Sequence, residues 1–346
     1  MSLSASARLA ALWSRHAWRP QLTGLTRLLT PLSWLYGLGV ARSVAPVIAA
    51  SAVPVVVVGN WVVGGAGKTP TVIALVQALA ARGWTPGVVS RGYGREHDAD
   101  VVLVGAASTA AQAGDEPLLI HRRTGVPVCV ARDRGAALHA LRAAWPAVDV
   151  VVADDGLQHA ALARVAEVWV FDDRGVGNGQ LLPAGPLRAA LPGAVPAHAR
   201  VLYTGQRVST ALPGSMATPG LTQAVPLAAW WAGDAAAAVS LESLPREGLH
   251  AAAGMAAPEK FFAMLEANGL RFVRLPQPDH ADYTALPWPA AARDVLVTEK
   301  DAVKLLPAAV GSTRVWVVPL DFKLPDSLVD EIAALLPNRH RPGPHP

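Results

Sequence analysis

Residues Val55 to Pro70 read VVVVGNWVVGGAGKTP. A valine run passes into a glycine-rich turn and then into Gly67-Lys68-Thr69, directly ahead of TPTVIALVQALAARG. A continuous apolar run of this length bounded by a turn reads as a strand covered on both faces, and the apolar spacing that follows reads as a helix. Strand, glycine turn and helix in this order make a phosphate loop: glycines let backbone N–H groups turn toward phosphate oxygens, and the helix N-terminus adds its positive dipole end. Lys68 would reach the terminal phosphates and the Thr69 hydroxyl could bind Mg²⁺, while Pro70 suits the first helical turn, where a missing N–H costs little. The common loop pattern, G-x-x-x-x-G-K-[ST], calls for glycine at position 62, where this chain has Val62. The stretch follows instead the G-G-x-G-K-T variant, with Val63 in place of that variant's usual leading lysine. Trp61, Val62, Val63, Gly64, Gly65, Ala66, Gly67, Lys68 and Thr69 are accordingly the candidate nucleotide-binding residues.

Outward from this stretch the pattern alternates strand, turn and helix. TPGVVSRGYG, VPVCVARD, VDVVVADDG, EVWVFDD and ARVLYTG read as strands, and RGAALHALRAAW reads as a helix. Valine-rich strands alternating with helices predict an α/β fold: a mostly parallel sheet, like that of phosphate-loop NTPases, with helices on both faces. Ligands of such sheets gather at the carboxyl ends of the strands. The polar clusters Gly59-Asn60, Ser90-Arg91-Gly92, Asp154-Asp155 and Asp172-Asp173 all follow strand ends. A Pro, Ala and Gly-rich stretch from Pro183 to Pro226 reads as loop and interdomain connection, followed by a second α/β pattern: PEKFFAMLEANGL as helix, DVLVTEKDAVKLL as strand into helix and RVWVVPLDF as strand. The expected division is an N-terminal basic helical segment (1–45), a kinase-like core (46–215), a smaller C-terminal α/β domain (216–337) and a disordered tail (338–346).

In a chain of 346 residues, 52% are hydrophobic and 16% charged, against roughly 25% charged in ordinary soluble domains. The net charge is only +4, but the first acidic residue is Glu96. Everything before it is unbalanced arginine and lysine, so this half attracts anions: lipid headgroups, nucleotides or nucleic acid. Between Leu9 and Tyr36 the apolar residues recur at helical spacing, with Arg8, Arg15 and Arg19 on another face and Pro20 and Pro31 expected to break the helix into pieces. With Trp13, Trp18 and Trp34 this segment suits a bilayer interface, and a helix packed on the core fits the same pattern. Cys129 is the sole cysteine, which excludes an intrachain disulfide framework and a cysteine-rich zinc site. Neither a secretory leader nor a run long enough to span a bilayer, about 20 residues, is evident, so a cytoplasmic protein is expected.

Asp154 and Asp155 close a strand as a Walker-B pair does, and either carboxylate could hold Mg²⁺ directly or through water. Phosphoryl transfer to a hydroxyl further requires a base or aligning group and cations around the phosphates. Asp115-Glu116, His159, Asp279-His280, Arg91, Arg132 and Arg188 are the candidates at strand or loop ends.

In this order, PLSWLYG (31–37), VVGNWVVGGAGKTP (57–70), SRGYGR (90–95), GDEP (114–117), DDGLQH (154–159), LLPAGPLR (181–188), PDH (278–280) and TEKDAVK (298–304) resemble the tetraacyldisaccharide 4′-kinase family of lipid A biosynthesis. The resemblance covers nearly the whole chain. It implies transfer of the ATP γ-phosphate to the 4′-hydroxyl of a tetraacylated glucosamine disaccharide 1-phosphate, giving lipid IVA. It further implies ATP and Mg²⁺ as cofactors, no nucleic-acid partner, and a peripheral position on the cytoplasmic face of the bacterial inner membrane. Matched motif by motif, Lys68 and Thr69 take the phosphate and Mg²⁺ roles, and Asp154 and Asp155 the metal side. Asp115 would be the base, paired with His280, while Arg91, Glu116, Gln158, His159 and Arg188 would line the site. Trp61, Ala66 and Ala281 depart from the family's habit, and none of these replaces a residue expected to act in catalysis. Two other readings of the same loop are a kinase or ligase acting on a soluble metabolite, and a membrane-associated nucleotide switch. A GTP-reading [NT]-K-x-D motif is absent, since TEKD has the wrong order.

Overall fold

The valine run becomes β1 (Val55–Gly59), a strand buried along its whole length, with parallel partners on both sides. The computed structural model describes residues 12–42, 53–159 and 162–337; the expected disordered tail and the first residues of the N-terminal segment lie outside them. The first sheet comprises β1, β2 (Pro86–Ser90), β3 (Val102–Val104), β4 (Val128–Val130), β5 (Val150–Asp154), β6 (Ala166–Phe171), β7 (Ala199–Tyr203) and β8 (Ser215–Met216). Their spatial order is β3-β4-β2-β5-β1-β6-β7-β8, parallel except for the edge strand β3. Alternation along β1 sorts its side chains between two layers. Val56 and Val58 join Leu75, Val76 and Leu79 of the helix Lys68–Ala81, whereas Val55 and Val57 join Ala137 and Leu141 of the helix Arg134–Ala144 on the other face. The sheet is therefore covered on both sides, as valine-rich strands require.

The second half of the chain adds β9 (Thr218–Gly220), β10 (Gln223–Pro226), β11 (Val239–Ser240), β12 (Leu249–Ala253), β13 (Phe272–Pro276), β14 (Asp294–Thr298), β15 (Arg314–Val318) and β16 (Asp321–Lys323). Six of them form a second sheet in the order β11-β10-β15-β14-β12-β13, and β9 pairs with β16 as a separate ribbon. Phe261, Phe262 and Leu265 of the helix Pro258–Ala267 fill one face of this sheet; Tyr283, Trp288 and Leu305 fill the other. The last helix, Asp326–Leu335, returns to the first core, where Leu328 and Ile332 pack and Arg82 pairs with Asp330 at 2.6 Å.

Pro31 does not break the N-terminal helix. It lies inside the helix Gly24–Arg42, and the interruption falls at 18–23, around Pro20. Pro31 is exposed, so the carbonyl it leaves unbonded is open to water, and the expected break is reduced to a tolerated defect. This helix is tied to the loop after β6: Ser33 Oγ donates to the Leu181 carbonyl at 2.9 Å and accepts from the Ala184 N–H, and Tyr36 donates to the Arg188 carbonyl. Among the described residues no helix is long and apolar enough to cross a membrane.

Candidate active site

The phosphate loop is shaped by two glycines in left-handed backbone, Gly64 (φ 88°) and Gly67 (φ 87°). At Gly67 a side chain is excluded twice, by that backbone and by Thr204, whose side-chain atoms lie 3.0 Å from where a Cβ would stand. Thr204 also donates to the Ala66 carbonyl at 2.8 Å, turning that carbonyl away from the loop's interior. Arg174 does the same to the Gly65 carbonyl at 2.7 Å while its Nε bonds Asp172. Carbonyls drawn outward leave the N–H groups of the turn directed inward, toward an anion.

The beginning of the stretch serves a different purpose. Val63 donates its N–H to the Pro186 carbonyl, Val62 bridges to Leu187, and the Trp61 carbonyl accepts from the Arg188 N–H. Trp61 packs edge-on against Trp169 at 5.0 Å, so its ring belongs to the core. Residues 61–63 thus fasten LLPAGPLR to the loop, and Gly64 to Thr69 form the rest of the turn and the start of the helix. That fastening explains why a β-branched residue is acceptable at position 62, where the common loop carries glycine.

Arg188 is thereby delivered to Asp155, which it meets at 2.9 and 3.0 Å, and Lys68 lies 3.7 Å from the same carboxylate. Burial would raise the pKa of Asp155, but Lys68 and Arg188 outweigh it and hold the carboxyl below its ordinary value. Asp155 itself sits in left-handed backbone, φ 52°. Its neighbour Asp154 behaves oppositely. Burial, with the charges of Glu116 and Asp155, pushes it up to about 7 against the opposing effects of Lys68 and the Ser90 hydroxyl. Ser90 donates to its Oδ2 at 3.1 Å, and Oδ1 is buried without a partner among the described residues. Asn60, fully buried, accepts from Lys68 at 3.4 Å, donates to the Gly64 carbonyl, and offers its own carbonyl to Gln158.

The Asp115 end is assembled from distant segments. Gly92 and Gly114, both in left-handed backbone, let the loop after β2 and the start of the helix Asp115–Thr124 approach until a Cβ on Gly114 would stand 3.2 Å from Gly92 Cα. SRGYG and GDEP are therefore neighbours in space. Asp115 Oδ1 accepts the Glu116 N–H at 2.9 Å, and Oδ2 pairs with His280 Nδ1 at 2.9 Å across 165 positions of sequence. Burial would raise the Asp115 carboxyl, but the His280 bond, Lys300 and Lys304 hold it below its ordinary value. The same bond raises His280 above its ordinary value, against the opposing effects of burial and Lys300. Lys300 joins Glu116 at 3.2 Å to Asp279 at 2.9 Å.

Of the residues expected from sequence, Lys68, Asp155, Gln158 and Arg188 meet in one network, and Asp115, Glu116 and His280 in another. Ser90 bonds Asp154, and Gly92 just beyond it packs on Gly114, the residue before Asp115, so the two networks are adjacent. Arg91 is exposed on the loop that bears Tyr93, whose ring lies 5.3 Å from His280. His159 stands apart: its carbonyl accepts from Arg164 at 2.5 Å, and burial lowers its imidazole. Sequence reasoning missed Asn60, Arg174, Lys300 and Lys304. Both lysines lie in TEKDAVK, a motif quoted without a role for any of its residues.

A glycine-rich loop ending in lysine and threonine, a carboxylate pair at the end of the adjacent strand, and an Asp/His pair reached through a second α/β unit define a phosphate-loop phosphotransferase of the α/β class. The family model of the tetraacyldisaccharide-1-P 4′-kinases (LpxK) matches residues 25–337, and the chain belongs to that family. It is 54% identical to the tetraacyldisaccharide 4′-kinase of Leptothrix cholodnii over 83% of each chain. It is 45% identical to that of Dechloromonas aromatica over 96% of this chain and 99% of the other. Among solved structures it resembles LpxK from Aquifex aeolicus in complex with ATP, at 25% identity and a TM-score of 0.72, over 90% of this chain and 100% of that one.

Proposed function

We propose that the chain transfers the γ-phosphate of ATP to the 4′-hydroxyl of tetraacyldisaccharide 1-phosphate, forming lipid IVA, with Asp115 as the base. The observation that carries this assignment is the Asp115–His280 pair, 2.9 Å long and next to the phosphate loop's own network. An alcohol attacking phosphorus must release its proton to a group within hydrogen-bond reach. Asp115 is ionised, fixed by the Glu116 N–H on one oxygen and His280 on the other, and has lone pairs left to accept that proton. Gly64 to Thr69 hold the phosphates, Lys68 neutralises charge developing on them, and Arg188 supplies a second cation.

Thr69 and the Asp154–Asp155 pair are the residues that would hold Mg²⁺, which would supply positive charge to the β- and γ-phosphate oxygens. The fit rests on Asp154 Oδ1, a buried carboxylate oxygen without a partner among the described residues. Hard oxygen donors are the set this ion takes, and it draws on one or two carboxylates with substrate phosphates rather than on an all-protein cage.

The acceptor's acyl chains and a peripheral place at the inner membrane's cytoplasmic face are supported by the helix Gly24–Arg42. Leu28, Trp34 and Leu35 are 76%, 71% and 65% exposed there, with Leu32 and Leu38 beside them. An apolar hollow between this helix and the loop after β6 is lined by Trp34, Val176, Leu181, Leu187 and Leu191. Aromatic and aliphatic side chains with arginines on a partly buried helix suit a bilayer interface.

The deciding experiment is γ-phosphate transfer from ATP to tetraacyldisaccharide 1-phosphate in mixed micelles. The expected result is a Mg²⁺-dependent lipid 4′-phosphate; folded protein that yields none overturns the assignment. Recruitment to anionic vesicles tests the membrane reading, with a Leu32→Ser, Trp34→Ser, Leu35→Ser variant expected to lose most of it.

A further inference from the structure

Lys304 is a lysine for which the reaction described above has no use. Its ammonium is buried and makes no hydrogen bond among the described residues, an arrangement that costs free energy unless charge compensates it. It lies 3.6 Å from Oδ1 of Asp301 and 3.9 Å from Oδ2 of Asp115, and 5.3 Å from the ring centroid of Tyr283. Asp301 is a fixed anchor. It is fully buried, accepts the Gly254 N–H on both oxygens at 3.1 Å, and accepts the Thr298 hydroxyl at 2.6 Å. A lysine held by this anchor has its remaining charge directed at Asp115.

Tyr283 supplies the second contact. It and His280 both lie in left-handed backbone, φ 57° and 59°, so the segment carrying the imidazole is strained and must be held by its surroundings. The Lys304 ammonium over the Tyr283 ring does part of this holding. One side chain thus touches both ends of the Asp115–His280 pair, the carboxylate by charge and the imidazole's segment by a cation–ring contact.

We propose that Lys304 is a positioning residue for Asp115: its buried ammonium, 3.9 Å from the carboxylate and over the Tyr283 ring, holds that carboxylate and the strained His280 segment in place. The proposal rests on Asp115 being the base. The charged and titratable groups around Asp115 are Glu116 on its own helix, Asp279, His280 and Tyr283 from the segment after β13, and Lys300, Asp301 and Lys304 from the region after β14. His280 and Lys300 remain when Lys304 is neutralised, so the carboxylate's proton affinity rises without its becoming unable to ionise. Burial continues to favour the protonated form.

The test is the pH dependence of kcat and of KM for ATP, from the lowest pH at which the chain stays folded up to about pH 9, for the full chain and its Lys304→Gln, Lys304→Arg, Asp301→Asn and Asp115→Asn variants. In Lys304→Gln the acid limb of kcat moves to higher pH than in the parent, so that the loss grows toward the acid end of the range, with KM for ATP within about twofold of the parent. Lys304→Arg keeps the parental limb. Asp301→Asn, which leaves the lysine's charge to Asp115 alone, moves the limb to lower pH and keeps the proposal testable should Lys304→Gln fail to fold. A loss in Lys304→Gln of equal size at every pH, or a limb unmoved in Asp301→Asn, overturns the proposal. If Asp115→Asn is inactive while these limbs stay put, the positioning role alone is wrong; if Asp115→Asn keeps full activity, the base assignment falls and the positioning role with it.

Discussion

The nucleotide half of the site and the acceptor half are built by opposite means. In the first, Lys68 and Asn60 are eight positions apart, joined by one turn whose glycines make the geometry. In the second, Asp115 and His280 are 165 positions apart, and the lysines that flank the pair come from yet another segment. The first half is therefore a property of a local sequence, stable wherever a sheet supports it. The second exists only when the two α/β units are docked. Contacts made for docking are consequently contacts made for catalysis, as Lys300 shows by bridging Glu116 of one unit to Asp279 of the other.

The sharpest way to break this contrast is to damage each half separately. Asp115→Ala is expected to lower kcat by about 10²–10⁴-fold while leaving nucleotide affinity within about twofold, measured by lipid phosphorylation and by ATP titration. Lys68→Ala should lower kcat by about 10²–10³-fold and also weaken ATP binding, since the lysine meets the phosphates in the ground state and the transition state alike. If both variants lose turnover and affinity in equal proportion, the two halves are not separable.

Glu299→Ala probes the docking itself. Glu299 is buried, bonds Arg123 of the first unit at 2.6 Å, and accepts from Trp230 at 3.2 Å. Its removal leaves the partly buried guanidinium uncompensated, a loss of about 2–3 kcal/mol in stability read by denaturant unfolding. Turnover should fall more than ATP affinity. A smaller effect, about tenfold in KM for ATP, is expected for Arg188→Ala, which removes a phosphate-side cation and the partner of Asp155.

The smallest expected effect is a pH dependence of stability carried by the Asp115–His280 pair. His280 is raised in the folded chain, so its contribution is complete below the unfolded imidazole value, about 6.5, and is lost as pH rises through the folded value. Asp115 is lowered, so its contribution is present above the unfolded carboxyl value and lost as pH falls through the folded one. In His280→Asn the decline in Tm between pH 6 and pH 9 should become shallower than in the parent. An unchanged slope removes the imidazolium from the resting pair.

Much of this was legible in the chain. The valine runs revealed the parallel sheet because strands buried on both faces admit little else, and Gly64, Gly67, Lys68 and Thr69 revealed the loop because its chemistry is carried by adjacent residues. Asp154 and Asp155 could be located but not told apart. Burial leaves one with an unpartnered oxygen near neutrality and gives the other two cations, and burial is a property of the packed sheet. Pro31 was misjudged for a related reason: a proline breaks a helix in isolation, yet one on a solvent-facing side is tolerated where Ser33 and Tyr36 hold the helix to the core. Lys304 left no signal of its own, because a lysine after a strand is ordinarily a surface residue.

The sequence by itself determined the α/β class, the phosphate loop and, through ordered motifs, the family. Those features depend on residue periodicity and on groups within one turn of each other. Only the tertiary structure decided that Val62 and Val63 fasten LLPAGPLR to the loop, and that Arg188 falls on Asp155. The ordered motifs implied the Asp115–His280 pair, but only the tertiary structure set two lysines of the second unit beside it. These depend on distances between segments far apart along the chain, which are set when the two cores pack and which no local spacing encodes.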